Sequence, residues 1–98
     1  MYKPLPSYLT IKTSKVNGLG LFALENITLG TNMGMSHLKI GDTIFRTPLG
    51  GFINHANEAN CVKAELRMTA EDIKGHAYNY KKWNLITIKD IKEGEELT

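Results

Sequence analysis

The chain has 98 residues, a mass of 11.0 kDa and a hydrophobic fraction of 42%, which suits one globular domain with one core. We therefore expect a single domain over residues 1–98. No apolar run is long enough to cross a bilayer, and the first residues lack a signal-peptide pattern, so we expect no membrane contact. A single cysteine excludes a disulfide scaffold and predicts an intracellular, cytoplasmic protein.

The formal net charge is +2, from 12 basic and 10 acidic residues. This near balance argues against direct nucleic-acid binding by bulk electrostatics. No acidic residue precedes Glu25, whereas Asp90, Glu93, Glu95 and Glu96 crowd the end of the sequence. We interpret the acidic end either as a solvated surface or as a region that attracts a basic peptide.

Short alternating segments bounded by Gly, Asn and Asp are typical of β-strands. In chain order, the predicted strands cover residues 8–12, 19–23, 43–46, 61–68 and 80–89. Asn17-Gly18 predicts a tight turn, and residues 92–95 predict another. Residues 69–75 are expected to form a loop or one helical turn.

The segment 61–68 alternates most regularly, and its apolar members are expected to face the core: Val62, Ala64, Leu66 and Met68. Helical periodicity is poor along the whole sequence. Many short strands with glycine-rich turns predict a mainly β fold of several small sheets with little helix.

Gly18-Leu19-Gly20 is the first candidate site. Two glycines allow a ligand to approach the backbone closely and leave its N–H and C=O groups unobstructed. The third glycine of a dinucleotide fingerprint is missing. The alternative interpretation is a plain tight turn.

Asn54-His55 is the second candidate site, at the end of an irregular segment that begins with Gly50-Gly51. Asparagine offers donors and an acceptor, and a neutral histidine offers one of each, so the pair can bind an adenine edge or a carboxylate. The alternative is that both side chains satisfy backbone groups in a buried turn.

Cys61 raises the possibility of thiol catalysis or metal binding together with His37, His55 or His76. None of these residues has zinc-ligand spacing, so we predict no metal site. A lone cysteine beside Val62 is typical of a small buried residue. A Cys61/His55 nucleophile remains a weaker alternative.

Taken together and in order, these segments resemble the SET domain of protein lysine methyltransferases. Residues 18–23 are similar to the family's G-x-G-x-F-A, and residues 27–30 to its I-x-x-G. Residues 52–61 resemble F-x-N-H-S-x-x-P-N-C, with Ala56 and Ala59 in place of serine and proline. Residues 88–98 resemble A-x-x-D-I-x-x-G-E-E-L-T. The length is similar to that of small stand-alone SET proteins of viral and phage origin, which implies a host-cell location if the source is viral.

The resemblance implies a SET-like β-clip fold and methyl transfer from S-adenosylmethionine to a lysine of a protein or peptide. It implies that the backbone of Gly18, Leu19 and Gly20 binds the methionine end of the cofactor. Asn54 and His55 would hold the cofactor's carboxylate or adenine side. The tail would pass near this pair in a knot-like crossing. Exposed strand edges also suggest a homodimer.

The family's catalytic tyrosine follows the G-E-E-L-T segment, so the resemblance places it beyond Thr98 and assigns no catalytic residue within these 98 positions. Two interpretations therefore stay open. One is an S-adenosylmethionine-dependent lysine methyltransferase whose catalytic segment lies outside this sequence. The other is a non-catalytic β-clip module that binds a peptide or belongs to a virion.

Overall fold

The computed structural model describes residues 4–98 and is mainly β, with 52% strand and 5% helix. This confirms the predicted fold class. The strands are β1 (Leu9–Thr13), β2 (Leu19–Ala23), β3 (Asn32–Ile40), β4 (Thr43–Arg46), β5 (Cys61–Glu71), β6 (Ala77–Thr87) and β7 (Glu96–Leu97), and one helix, α1, spans Pro48–Phe52. Within residues 4–98, no helix is both long and apolar enough to cross a membrane.

Two antiparallel sheets organise the chain. The small sheet has the order β1-β2-β7, and the large sheet has the order β4-β3-β6-β5. In the small sheet Leu21 pairs with Leu97, so one of the earliest strands is completed by the last one. A bridge between Ile27 and Ile91 adds a second link between the two ends of the sequence.

The core contains side chains from both sheets and from α1. Its buried members are Leu9, Leu21, Ala23, Ile27, Met33, Leu49, Cys61, Leu85, Ile91 and Leu97. The tail segment therefore contributes two buried side chains to the core, those of Ile91 and Leu97. The buried hydroxyl of Thr87 donates to the carbonyl of Thr28 at 2.8 Å and accepts from the backbone N–H of Thr31 at 2.9 Å, so this polar side chain is satisfied inside the core.

The longest unpredicted strand is β3. Its glycine, Gly34, has a φ of +109°, and the register with β6 shifts on both sides of Met35. Such β-bulges bend a strand and interrupt its alternation. This strand was not predicted from the sequence, because its alternation is irregular and a glycine such as Gly34 usually marks a break between elements.

The β5–β6 hairpin is longer than predicted, and the predicted inward face of β5 is wrong. Residues 69–71 continue β5, so the predicted loop or helical turn over 69–75 shortens to a turn after Glu71. Val62 and Leu66 are 46% and 41% exposed, whereas Cys61 is buried. Among the described residues, the core takes Cys61 from β5 and Leu85 from β6, both towards the end of the hairpin away from its turn, so the half near the turn contributes no buried side chain.

Candidate functional site

The side chain of Asn54 joins three segments that are distant in the sequence. Its Nδ2 donates to the carbonyls of Asn17 at 3.1 Å and Leu19 at 3.2 Å, and to Oε2 of Glu96 at 2.9 Å. The glycine turn, the Asn54-His55 corner and the tail therefore meet at one point. We call the group formed by Ser14, Gly20, Asn54 and Glu96 the junction.

Glu96 is the centre of the junction. The Ser14 hydroxyl lies 2.7 Å from Oε1 and 2.8 Å from Oε2 of its carboxylate, and the Asn54 amide donates from the other segment. Among residues 4–98, no Lys or Arg forms an ion pair with Glu96. Hydroxyl and amide donors therefore stabilise the carboxylate. From the sequence, Glu96 was expected only as part of an acidic end that is solvated or attracts a basic peptide, although its place in the G-E-E-L-T-like segment was a usable signal.

The two glycines of the first candidate site serve different purposes. Gly20 is buried, and a Cβ there would collide with the Glu96 carboxylate and lie 3.1 Å from Nδ2 of Asn54. Gly18 has a φ of +47° and open space around it, and its carbonyl accepts from the backbone N–H of Ser14 at 2.7 Å. The chain reverses here as predicted, but through a five-residue loop over residues 14–18 and not through a tight turn at Asn17-Gly18, because Gly18 has a positive φ and Asn17 does not. Gly20 is required by close packing.

The tail is held from both sides. Nδ2 of Asn60 donates to the carbonyl of Glu96 at 2.8 Å, and its Oδ1 accepts from the backbone N–H of Thr98 at 2.8 Å. The carbonyl of Thr98 accepts from the N–H groups of Asn60 and Cys61. Since β7 also pairs with β2 on its other side, the tail passes between β2 and the loop that follows Asn54.

His55 is exposed and faces two neighbouring cavities. A small one of about 70 Å³ is lined by Asn54, His55, Cys61 and Thr98 among others. A second one of about 360 Å³ shares Ile53, His55 and Lys63 with it. Small-molecule sites have volumes of roughly 300–1,000 Å³, so the pair offers room for a ligand beside the corner. Gly18, Leu19 and Gly20 belong to the described part of the chain, and none of them lines either cavity.

The larger of these two cavities is electropositive. Arg46 and Lys63 line it together with His37. The pKa of His37 is lowered, first by burial and then by the charges of Lys63 and Arg46. His37 is therefore neutral at pH 7, and the positive charge comes from the other two side chains. Such a cavity suits a carboxylate or another anionic group.

Cys61 does not have the properties of a nucleophile. Burial raises the pKa of its thiol to about 11, although a hydrogen bond from the backbone of Thr98 acts in the opposite direction. The thiolate is the reactive form of cysteine, and it is scarce at neutral pH here. Among residues 4–98, no three His, Cys, Asp or Glu side chains lie close enough together to hold a metal ion.

No protein-family model matches the chain, and no curated protein matches it either. Among solved structures, the chain is similar to a Plasmodium falciparum protein described as a "putative histone methyltransferase". The TM-score is 0.64 at 15% identity, and the match covers 95% of this chain and 91% of the other. At this identity the likeness shows a shared fold, and the mainly β architecture is consistent with a small SET-like domain.

Proposed function

We propose that this protein is a SET-like domain that binds S-adenosylmethionine beside Asn54-His55 and serves the methylation of a lysine in a protein substrate. The observation that carries the proposal is the Asn54 side chain, which ties the glycine turn to the tail next to His55, and His55 lines the electropositive cavity. The fold shared with the Plasmodium protein supports the same class of activity.

The residues beside the corner fit the chemical groups of this cofactor. Arg46 and Lys63 suit its carboxylate, and the exposed ring of His55 suits an adenine edge. Gly18 has open space around it, so the backbone of the turn is accessible to a ligand. When bound, S-adenosylmethionine supplies a methyl group activated by its sulfonium.

Asn54 acts in this proposal by positioning. Its two amide protons are shared among three acceptors within the protein, so the Nδ2 group has no further proton to give a ligand. It fixes the main chain of the corner and of the turn relative to each other. The binding of the cofactor then depends on Asn54 through the geometry of the backbone.

The lysine substrate must lose a proton before its nitrogen attacks the methyl group, and desolvation lowers the pKa of an amine. The acidic tail suits the approach of a basic peptide. We assign no catalytic hydroxyl among the described residues. Tyr8 is packed against the core, and Tyr78 and Tyr80 lie on the β5–β6 hairpin.

One observation favours a second candidate, a non-catalytic β-clip module that binds a peptide or belongs to a virion. The space beside Gly20 is filled by the Asn54 amide and the Glu96 carboxylate. Because the protein's own side chains occupy this space, a ligand cannot contact the backbone of Gly20 there. The two candidates differ in whether the cofactor binds at all.

Isothermal titration calorimetry with S-adenosylmethionine and its demethylated product separates these candidates. We expect both ligands to bind the wild-type chain. Asn54→Ala should weaken binding at least fivefold, because it removes a clamp whose hydrogen bonds include one to the half-buried Glu96 carboxylate, a loss of about 1–3 kcal/mol.

Asn57→Ala, an exposed asparagine in the same loop, is the matched control and should bind like the wild type. Thermal unfolding of each variant shows that the chain is folded at the titration temperature. Absence of any binding heat from the folded wild-type chain would leave the non-catalytic module as the function. Equal affinities of wild type and Asn54→Ala would contradict the assigned corner.

A further inference from the structure

One side of the large sheet carries a row of positive charges. Residues that alternate along a strand share a face, and the register pairs Lys81 of β6 with Lys39 of β3 and with Arg67 of β5. Three cationic side chains therefore stand next to one another across three strands. They line a cavity of about 500 Å³ together with Thr69 and Asn79.

Two further cations extend this row. Arg46 of β4 pairs with His37, and Lys63 of β5 occupies the same side as Arg67, four residues earlier. We call this side, with Lys39, Arg46, Lys63, Arg67 and Lys81, the cationic face. It gathers five of the 12 basic residues of the sequence.

Acidic residues only partly offset the cationic face. Glu65 lies 3.7 Å from Lys81 and 4.0 Å from Arg67, and Glu71 stands on the same side at the end of β5. Ion pairs between exposed side chains contribute little. Five cations and two acids leave a local charge of +3, which exceeds the +2 of the entire sequence.

Trp83 lies among these charges and is the single tryptophan of the sequence. In the register it stands between His37 of β3 and Glu65 of β5. The His37 ring meets it edge-on, with centroids 6.4 Å apart and planes at 88°. Trp83 is half-buried and lines a cavity of about 390 Å³ with His37, Ile44 and Lys63, so part of the ring is open to a ligand.

The opposite side of the large sheet has a different character. Its side chains include Leu38, Ile40, Phe45, Leu66 and Tyr80. Among the described strand residues of that side, Lys82 is the one cation. Within the large sheet, the positive charge is therefore concentrated on one face.

We propose that the cationic face binds single-stranded nucleic acid, with phosphates along the Lys39–Lys81–Arg67 row and a base stacked on Trp83. Backbone charge together with an aromatic platform is the combination that single-stranded nucleic acid requires, and open four-stranded sheets present such platforms. The bases of a duplex are already stacked and paired, so they are not free to stack on Trp83. An acidic peptide would bind the cationic side chains but would leave Trp83 without a stacking partner. The near-balanced composition predicted the opposite, because an average over the sequence does not register this clustering.

Fluorescence anisotropy of a labelled ten-nucleotide oligouridine tests the proposal, with two charge reversals at neighbouring positions. Lys81→Glu alters the cationic face, whereas Lys82→Glu makes the same change in net charge on the opposite side. We expect Lys81→Glu to weaken binding about tenfold and to reduce its salt dependence, and Lys82→Glu to change it by less than about twofold. Oligouridine should also quench the fluorescence of Trp83.

Lys39→Glu on β3 provides a second reversal of the same face if circular dichroism shows that Lys81→Glu is unfolded. Equal losses in the reversals on the two sides would overturn the assigned face. Polyglutamate competing as well as oligouridine, or binding without quenching of Trp83, would assign the face to acidic polypeptides instead. No binding of oligouridine at low salt would also overturn the proposal. None of these outcomes depends on S-adenosylmethionine, so the proposed function is tested separately.

Discussion

The Asn54–Glu96 contact links a neutral amide to a half-buried carboxylate. Hydrogen bonds to a charged group are stronger than those between neutral groups, and the bond spans 42 positions of the chain at 2.9 Å. Ser14 adds a second donor from a position 82 residues away from Glu96. A few polar side chains therefore fix the relative positions of three segments that are far apart in the sequence.

Gly20→Ala should destabilise the protein by about 1–3 kcal/mol, because overfilling a well-packed site forces its neighbours to shift. The added methyl group would meet the Glu96 carboxylate and the Asn54 amide. Urea unfolding followed by circular dichroism measures the change.

Gly51→Ala in α1 is the matched control, since a Cβ there has nothing within 4 Å. This substitution should be neutral or stabilise by about 0.4–1 kcal/mol through the unfolded chain. Equal destabilisation by both alanines would show that the junction is not tightly packed.

The thiol of Cys61 predicts a loss of stability at alkaline pH. Its pKa rises from an ordinary value of 9.0 to about 11 on folding, so between these values the folded chain keeps a proton that the unfolded chain loses. The free energy of unfolding therefore decreases as the pH rises from 9 towards 11. Below pH 9 this contribution is fully present.

Thermal unfolding of wild type and Cys61→Ala at several pH values isolates this contribution, because every other side chain is the same in both proteins. We expect the wild type to lose more of its melting temperature than the variant between pH 8 and pH 11. Parallel pH profiles would contradict a buried, protonated thiol.

At the scale of elements, local patterns predicted the strands that are short and bounded by turn residues. β2 and β4 have the predicted bounds, and β1 begins one residue later than predicted. β3 was not predicted, because a bulge near Gly34 interrupts the alternation of its side chains. The inward face of β5 was mispredicted because alternation shows that two faces differ, but not which one another layer covers.

Leu85→Ala and Leu66→Ala test this corrected orientation of the hairpin. Leu85 is 1% exposed and Leu66 is 41% exposed. The same loss of side chain should cost about 2–5 kcal/mol at the buried position and about 0.5 kcal/mol or less at the other. Chemical denaturation measures both. A loss of about 2 kcal/mol or more for Leu66→Ala would contradict the exposed position of Leu66 and would place it in the core.

At the scale of the whole molecule, the sequence predicted which segments meet better than it predicted the side-chain contacts that join them. The expected meeting of the glycine turn, Asn54 and the tail is present, because motif order constrains the arrangement of segments. The contacts of Glu96 with Ser14 and Asn54, and the clustering of cations, join side chains far apart in the sequence, so no local pattern reveals them. A homodimer stays a prediction, with β1, β7, β4 and β5 as the sheet edges.

Removal of residues 96–98 should prevent cooperative folding. It deletes β7, the fully buried Leu97 and two of the hydrogen-bond partners of the Asn60 side chain. Near-ultraviolet circular dichroism and thermal unfolding should show the loss. Glu93→Ala, an exposed side chain in the preceding turn, should retain a cooperative transition. A truncated chain that melts cooperatively would show that the tail is dispensable.

The position of Ile91 and Leu97 in the core also has a consequence for biosynthesis. Both are at most 1% exposed, yet a ribosome adds them after almost everything else that is described here. Until they leave the exit tunnel, the nascent polypeptide holds an unfilled interior and a β2 edge without its neighbour. Domains generally fold as units, so this domain should complete its folding only after the tail has been translated.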